Sequence, residues 1–125
     1  RYNLWGFGDN SNGQLGIGNC DEVELPTKIS GNFSEIKTNG NISFAINLDG
    51  EFFMWPTMDK EGKLNYFPLY IPIDKEKIQT ISCGGNFTFL LSYSGLLYSF
   101  GKSNTYGQLG HGDTKPRSKP KLVQT

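Results

Sequence analysis

The sequence predicts an all-β fold built from repeated, blade-like sheets, and three observations carry that expectation. Glycine is frequent, 16 of 125 residues, and aromatics make up 14 %, a composition suited to short strands and tight turns. Apolar residues cluster in short runs around turn residues and do not follow a helical 3.6-residue period. The chain also repeats itself, and the period of that repeat sets the architecture.

The first strand signal, LWGFG, opens the segment LWGFGDNSNGQLGIG at residues 4–18. It returns as LYSFGKSNTYGQLGHG at residues 97–112, with one inserted residue. Trp5 aligns with Tyr98 and Phe7 with Phe100. Each copy is followed by a proline and, three positions on, an apolar residue: Pro26 and Ile29, Pro120 and Val123. That pattern predicts a short Pro-led strand, which Pro68 leads in the middle of the chain. Residues 33–55 also align without gaps on residues 78–100, an offset of 45 (78 − 33). The step from Leu4 to Phe52 is 48, and from Phe52 to Leu97 it is 45. A period of this size belongs to propeller blades and some solenoids.

Two hairpins complete the pattern. In SFAINLDGEFFMW the pair Asp49-Gly50 predicts a type I′ turn, which needs positive φ at both central residues. FTFLLSYSGLLYSFG turns at Tyr93-Ser94-Gly95. Residues 44–48 should therefore pair antiparallel with 51–55, and 89–92 with 96–100. Trp5, Phe7, Ile36, Phe44, Ile46, Ile81, Phe89, Leu91 and Phe100 occupy repeated apolar positions and form the expected core.

An aromatic-Gly-x-Gly strand end, then GQLGxG, a Pro-led strand and a Gly-rich turn into a hairpin resembles the regulator-of-chromosome-condensation repeat. Gly13-Gln14-Leu15-Gly16 and Gly107-Gln108-Leu109-Gly110 are the most specific matches. The resemblance covers two repeats and most of a third, approximately residues 3–48, 51–94 and 96–125. It implies β-propeller blades, and a propeller of seven. Seven blades at this period need roughly 320 residues, so 1–125 is expected to be a propeller fragment. The middle repeat departs from the pattern: Trp55-Pro56 replaces the aromatic-Gly ending, and TMDKEGKLNYFPLY replaces the GQLGxG loop. Ile42 and Phe87 stand where the family usually has histidine. No segment resembles the wedge that the family's Ran exchange factor inserts against its GTPase.

Most chemistry is excluded by the residue inventory. Gly101-Lys102-Ser103 lacks phosphate-loop spacing, because five strand-like residues separate Gly95 from it and no helix follows. Gly6-x-Gly8 lacks the third glycine of a dinucleotide fingerprint. His111 is the single histidine, too few for a zinc site whose remaining ligands would come from separate repeats. No catalytic, cofactor-binding or metal-ligating set is expected, and the chain is read as non-enzymatic. The motif residues are read as structural: glycines for backbone conformations closed to other residues, Leu15 and Leu109 as anchors in a blade interface, and Gln14 and Gln108 as turn-satisfying amides. Cys20 and Cys83 read as free thiols of a reducing compartment, which places the chain inside the cell, in cytoplasm or nucleus.

Two segments stand out as candidate partner-binding surface. Residues 57–70 combine charge, including Lys60, Glu61 and Lys63, with the aromatics Tyr66 and Phe67. Charged rims beside aromatic anchors are common at protein interfaces; the alternative is that these aromatics pack beneath their own loop. KPRSKPK, residues 115–121, gathers Lys115, Arg117 and Lys119. It reads either as a contact for phosphates or an acidic partner or as a solvated loop before a strand.

Twelve basic and twelve acidic residues cancel, so the global positive field of a nucleic-acid or membrane-surface binder is missing. No apolar run approaches the roughly 18–20 residues that span a bilayer. The expected function is a protein–protein interaction module, a regulatory or scaffolding part of a larger protein. The alternative, implied by the resemblance, is a guanine-nucleotide exchange factor for a small GTPase. Expected partners are other proteins, a small GTPase among the candidates. Because blades bury their faces against neighbours, further blades or self-association through Leu4–Gly8 and Leu97–Gly101 is also expected.

Overall fold

A computed structural model of the chain describes residues 4–8, 10–11, 13–29, 32–39, 42–84, 87–101, 109–110, 112, 115 and 117–123. Every regular element among them is a strand: β1 Leu4–Gly8, β2 Val23–Ile29, β3 Phe33–Asn39, β4 Ile42–Asn47, β5 Phe52–Trp55, β6 Thr57–Met58, β7 Leu64–Asn65, β8 Leu69–Ile71, β9 Ile78–Cys83, β10 Phe87–Ser92, β11 Leu97–Gly101 and β12 Arg117–Leu122. They form two four-stranded antiparallel sheets, ordered β3-β4-β5-β8 and β9-β10-β11-β12, preceded by the β1-β2 ribbon. These are the blades of a β-propeller. A small β6-β7 hairpin stands apart from the sheets.

Both expected hairpins form. Phe44 pairs with Met54 and Ile46 with Phe52; Phe89 pairs with Ser99 and Leu91 with Leu97. The turn between β4 and β5 differs from the expected type I′. Gly50 N–H donates to the Asn47 carbonyl at 3.1 Å, and of the turn residues only Gly50 has positive φ, 78°. The loop thus holds three residues closed by a left-handed glycine, the commonest alternative to the two-residue hairpin. Asn47 is the cause: its Oδ1 accepts from Asp49 N–H at 3.0 Å and Glu51 N–H at 2.9 Å. At the position 45 residues on, Ser92 Oγ accepts from Leu96 N–H at 3.0 Å, and Gly95 takes φ 93°. Different side chains build the same turn.

Both faces of the β3–β8 sheet are buried. On one, Ala45 and Trp55 pack with Ile29 of β2 and Phe33. On the other, Phe44, Ile46 and Phe52 meet Ile81, Leu90, Tyr98 and Phe100 of the next sheet. Phe44 and Phe100 rings stand edge-on with centroids 5.7 Å apart, and Phe44 stacks on Phe52 at 5.9 Å. The Tyr98 hydroxyl donates to Asp74 at 3.1 Å. Burial first, then that hydrogen bond and the charges of Asp74 and Glu76, push its pKa to about 12.

The expected core needs correction. Phe44, Ile46, Ile81 and Phe100 are buried. Trp5 and Phe7, however, are 55 % and 62 % exposed and Ile36 is 37 % exposed; Phe89 and Leu91 are half-buried. The reason is which way each position faces. Trp5 and Phe7 are the counterparts of Tyr98 and Phe100, which point at the preceding blade, and no described strand lies on that side of β1. Ile36 pairs with Ala45, on the side of the β1-β2 ribbon, at a position that no described strand covers. Phe89 and Leu91 are the counterparts of Phe44 and Ile46, on a face that no further described sheet covers.

Two more sequence readings shift. From Arg117 onward KPRSKPK is strand rather than loop: Arg117–Leu122 is the outer edge of its sheet. A proline such as Pro120, which cannot donate to the ladder, is tolerated on an edge strand. And Leu97–Gly101 is paired on both sides, by β10 and β12. Of the two segments expected to mediate self-association, only β1 therefore keeps an open edge among the described residues.

Phe44→Ala should lower unfolding free energy by about 3–5 kcal/mol, while Trp5→Ala should cost under about 1 kcal/mol; urea titration of each variant checks the contrast. Tyr98 adds a pH dependence. Its folded pKa lies above the unfolded value of about 10. Its contribution is therefore fully present below that unfolded value and is lost as pH rises to about 12. Tyr98→Phe should flatten that decline in alkaline unfolding curves.

Candidate functional site

The strand order sorts the connections onto two ends. The β4-β5 and β10-β11 turns and the β8-β9 link lie at one end and are short or closely packed: Ile78 N–H donates to Gly50 O at 2.8 Å, and Tyr93 N–H to Lys77 O at 2.9 Å. The long connections, β1 to β2, β5 to β8 and β11 to β12, all leave from the other end. That end carries most of the candidate residues.

The β1-β2 loop is organised by Asn10, a fully buried polar residue that sequence reasoning overlooked. Its Oδ1 accepts from Leu15 N–H at 3.0 Å, and its Nδ2 donates to the carbonyls of Asn19 at 2.9 Å and Asp21 at 3.0 Å. Its own carbonyl accepts from Gly13 N–H at 3.0 Å. One side chain thereby closes both halves of the loop. A signal was present: asparagine stands three residues before the motif glycine in both copies, Asn10 before Gly13 and Asn104 before Gly107.

The closed loop couples two blades. The Gln14 carbonyl receives two hydrogen bonds from the neighbouring sheet, from Ser43 Oγ and from Trp55 Nε1, each at 2.8 Å. A β-carbon on Gly16, φ 74°, would lie 2.7 Å from that Trp55 nitrogen. Glycine is needed there for backbone conformation and for close approach. The coupling runs through the Gln14 backbone, where the sequence pointed to its side chain. Leu15 leans toward Gly6 of its own ribbon. In the second copy Leu109 is fully buried and its carbonyl accepts from Ser99 Oγ at 2.6 Å. Gly107, Gln108 and His111 lie outside the described residues.

The middle connection replaces the motif with the β6-β7 hairpin. Asp59 shapes its tip: Oδ1 accepts from Glu61 N–H and Lys63 N–H, both at 2.9 Å, and Gly62 turns with φ 84°. Lys60, Glu61 and Lys63 are all exposed on this one turn. Tyr66 and Phe67, by contrast, sit where β-carbons on Gly13 and Gly18 would be, so these aromatics fill the glycine loop of the preceding repeat. Phe67 stays 50 % exposed. The Tyr66 hydroxyl has its pKa raised, chiefly by a hydrogen bond with Cys20 and secondarily by burial. Both cysteines are free. Burial raises the Cys83 thiol, against the Thr88 hydroxyl and Lys37.

The basic candidates occupy another blade. Lys115 precedes β12 and Lys119 lies within it, both exposed. Arg117 opens β12, opposite Gly101; its side chain lies outside the described residues. The structure thus gathers Lys60, Glu61 and Lys63 on one turn, places Tyr66 and Phe67 at its base, and leaves the basic strand on a separate outer edge.

Asn10→Ala should destabilise the chain by about 1–3 kcal/mol for each backbone group it orphans. Gly16→Ala should cost more than about 1 kcal/mol and shift Trp55 fluorescence as the indole is pushed off the Gln14 carbonyl. Urea unfolding followed by tryptophan emission reads both.

Sequence comparison agrees with this geometry. The profile of the Regulator of chromosome condensation (RCC1) repeat matches residues 3–46 and 94–125, and a second profile of the same repeat matches 78–108. Human E3 ubiquitin-protein ligase HERC2 is 32 % identical over 136 residues, which cover 97 % of this chain and 3 % of HERC2. The secretion-regulating guanine nucleotide exchange factor of Mus musculus is 32 % identical over 127 residues, 90 % of this chain and 27 % of that protein. Among solved structures, Prp20p from Saccharomyces cerevisiae superposes with a TM-score of 0.79 at 18 % identity, over 98 % of this chain and 34 % of Prp20p. The chain therefore spans about a third or less of each relative's length. With matched repeats on both sides of the altered middle loop, and with the motif loop bridging blades, the chain belongs to the regulator of chromosome condensation (RCC1) repeat family.

Proposed function

We propose that this chain is a protein–protein interaction module, a regulatory or scaffolding part of a larger protein, and that it contacts its partner through the long-loop end of its blades. The observation that carries this reading is the β6-β7 hairpin. It stands where the family's tightly packed loop would be, and it displays Lys60, Glu61 and Lys63 on a turn whose shape is held by Asp59. Exposed Met58 and Leu64 face each other across it. Loops carried on rigid sheets are where binding residues concentrate. Phe67 extends the surface, and Lys115, Arg117 and Lys119 supply a second, basic region on the outer edge.

The reading is non-catalytic. The ligase activity named for HERC2 belongs to a protein of which this chain matches 3 %. The free thiols Cys20 and Cys83 support an intracellular setting. The binding properties of Prp20p toward Gsp1p and histones support protein partners. The second reading, guanine-nucleotide exchange on a small GTPase, is favoured by the likeness to the secretion-regulating exchange factor.

A photo-crosslinking residue at Lys60 should give protein adducts in cells, whereas one at Asp49, at the opposite end, should not. Adducts confined to Asp49 would move the site to the short-turn end. Release of labelled GDP from Ran should proceed at the same rate with and without the chain; acceleration would favour the exchange-factor reading.

A further inference from the structure

We infer that the outer edge of the middle blade, strand β8 at Leu69–Ile71, docks an extended segment of a partner protein whose apolar centre is flanked by lysine or arginine, the segment adding to the sheet as a fifth strand. The inference rests on reading the chain as an interaction module and names the kind of segment that module takes. β8 ends its sheet and pairs only with β5, so its far side offers unpaired backbone groups. Successive residues of an antiparallel strand turn their N–H and C=O to opposite sides, so at least one of the three presents both outward. Extended peptides bind such edges by main-chain hydrogen bonds, and neighbouring side chains give specificity. Position keeps this edge clear of other blades. The middle blade already has a neighbour on each face, through Trp55 on one and through Phe44 and Phe52 on the other. The two complete sheets meet along β3 and β9, and β8 is the strand farthest from β3 in its sheet. At about 4.8 Å per strand it lies roughly 14 Å away, on a side where blades do not stack.

The other two outer strands are guarded against strand addition, and β8 is not. β2, VELPTKI, carries Glu24, Pro26 and Lys28; β12, RSKPKL, carries Arg117, Lys119, Pro120 and Lys121. Charged side chains and proline are the usual means by which an edge strand repels other chains. β8 is LYI, inside a run of ten uncharged residues, 64–73. Its prolines, Pro68 and Pro72, stand just outside it and bound the free edge without blocking it. Leu69 and Tyr70 are 42 % and 46 % exposed, and exposed Phe67, Leu64 and Met58 continue the apolar surface toward the hairpin. Tyr70 is backed by Phe53, ring centroids 5.8 Å apart. Charge selects the occupant. Beyond one end of the edge stand Asp59 and Glu61, with Asp21 and Glu22 close by because Tyr66 and Phe67 sit against Cys20 and Gly18; Lys60 and Lys63 oppose them. Beyond the other end stand Asp74 and Glu76, with Asp49 and Glu51 brought there by the bond from Ile78 to Gly50; Lys75 and Lys77 oppose them. Each end therefore carries a net charge of −2 (2 − 4). Acidic flanks around an uncharged middle complement a segment with an apolar middle and basic flanks, and they disfavour one of the opposite charge.

The test uses the full-length protein and a labelled synthetic peptide of alternating valine and threonine with paired lysines at each end. Fluorescence anisotropy should report binding, and amide exchange within Leu69–Ile71 should slow when the peptide is added. Leu69→Lys, at an exposed position, should weaken binding about tenfold with an unchanged cooperative melt, while Leu69→Val should bind as the wild type does. A peptide with a central proline keeps the lysines but cannot complete the ladder, and it should not bind. Equal binding of that peptide would leave charge alone as the cause; equal binding with glutamates in place of the lysines would remove the basic flanks. Either result overturns the inference. It fails as well if Leu69–Ile71 is already protected from exchange before peptide is added, since another segment of the protein then covers the edge. Mass that rises with concentration in the wild type and not in Leu69→Lys would make a second copy the occupant and would sink it too. Crosslinked adducts at Lys60 without peptide binding would leave the hairpin reading standing and overturn this one; protection at β8 by the peptide without Lys60 adducts would do the reverse.

Discussion

Each complete sheet in this chain is apolar on both faces, and the rest of the architecture follows from that constraint. β4 shows it in one strand: Phe44 and Ile46 enter the core shared with β9–β12, while Ala45, between them in sequence, enters the core shared with β2. A sheet of this kind cannot present one side to water, as most antiparallel sheets do. It requires a neighbour on each side, which is why blades stack and why stability in such proteins is shared between repeats. The aromatic trio of Phe44, Phe52 and Phe100 fills the gap between two twisted sheets with rings at edge-on and offset angles that suit their quadrupoles.

Stacking alone leaves the ends of the sheets loosely joined, and the glycine loop addresses this. Asn10 folds the loop from within, and the Gln14 carbonyl then accepts two hydrogen bonds from the next blade, one of them from the indole of a buried tryptophan. A carbonyl has two lone pairs, and here both are used. The glycines let the loop backbone approach close enough for the bond to form. In the middle repeat the same end is built differently. Tyr66 and Phe67 supply ring surface to the preceding glycine loop, and the residues between them and β5 are released to form a hairpin that joins neither sheet. Loss of the motif in one repeat therefore leaves a segment outside both sheets, while Tyr66 and Phe67 still pack on the preceding glycine loop.

Rigid blades and exposed loops divide labour by position. Short turns at one end are tied to the inter-blade link by backbone hydrogen bonds. Long connections at the other end hold the charged hairpin tip.

The sequence by itself determined the period and the pairing of the two central hairpins, because alternation along a strand and glycine at turns act over only a few residues. It also marked the motif glycines and the anomalous middle loop. It could not say which copy of a repeated position would be covered. Trp5 and Tyr98 look equivalent in sequence, yet one is exposed and the other buried, since burial depends on whether a neighbouring sheet exists on that side. The turn at Asp49-Gly50 was misjudged for a related reason: the Asn47 side chain, reaching back to two backbone N–H groups, chose a three-residue loop. Asn10, too, gained its importance only when chain closure placed Leu15, Asn19 and Asp21 around it. Local pattern determined what each segment became; only the tertiary structure decided which surfaces were left for other molecules, because covering a face takes residues distant in sequence.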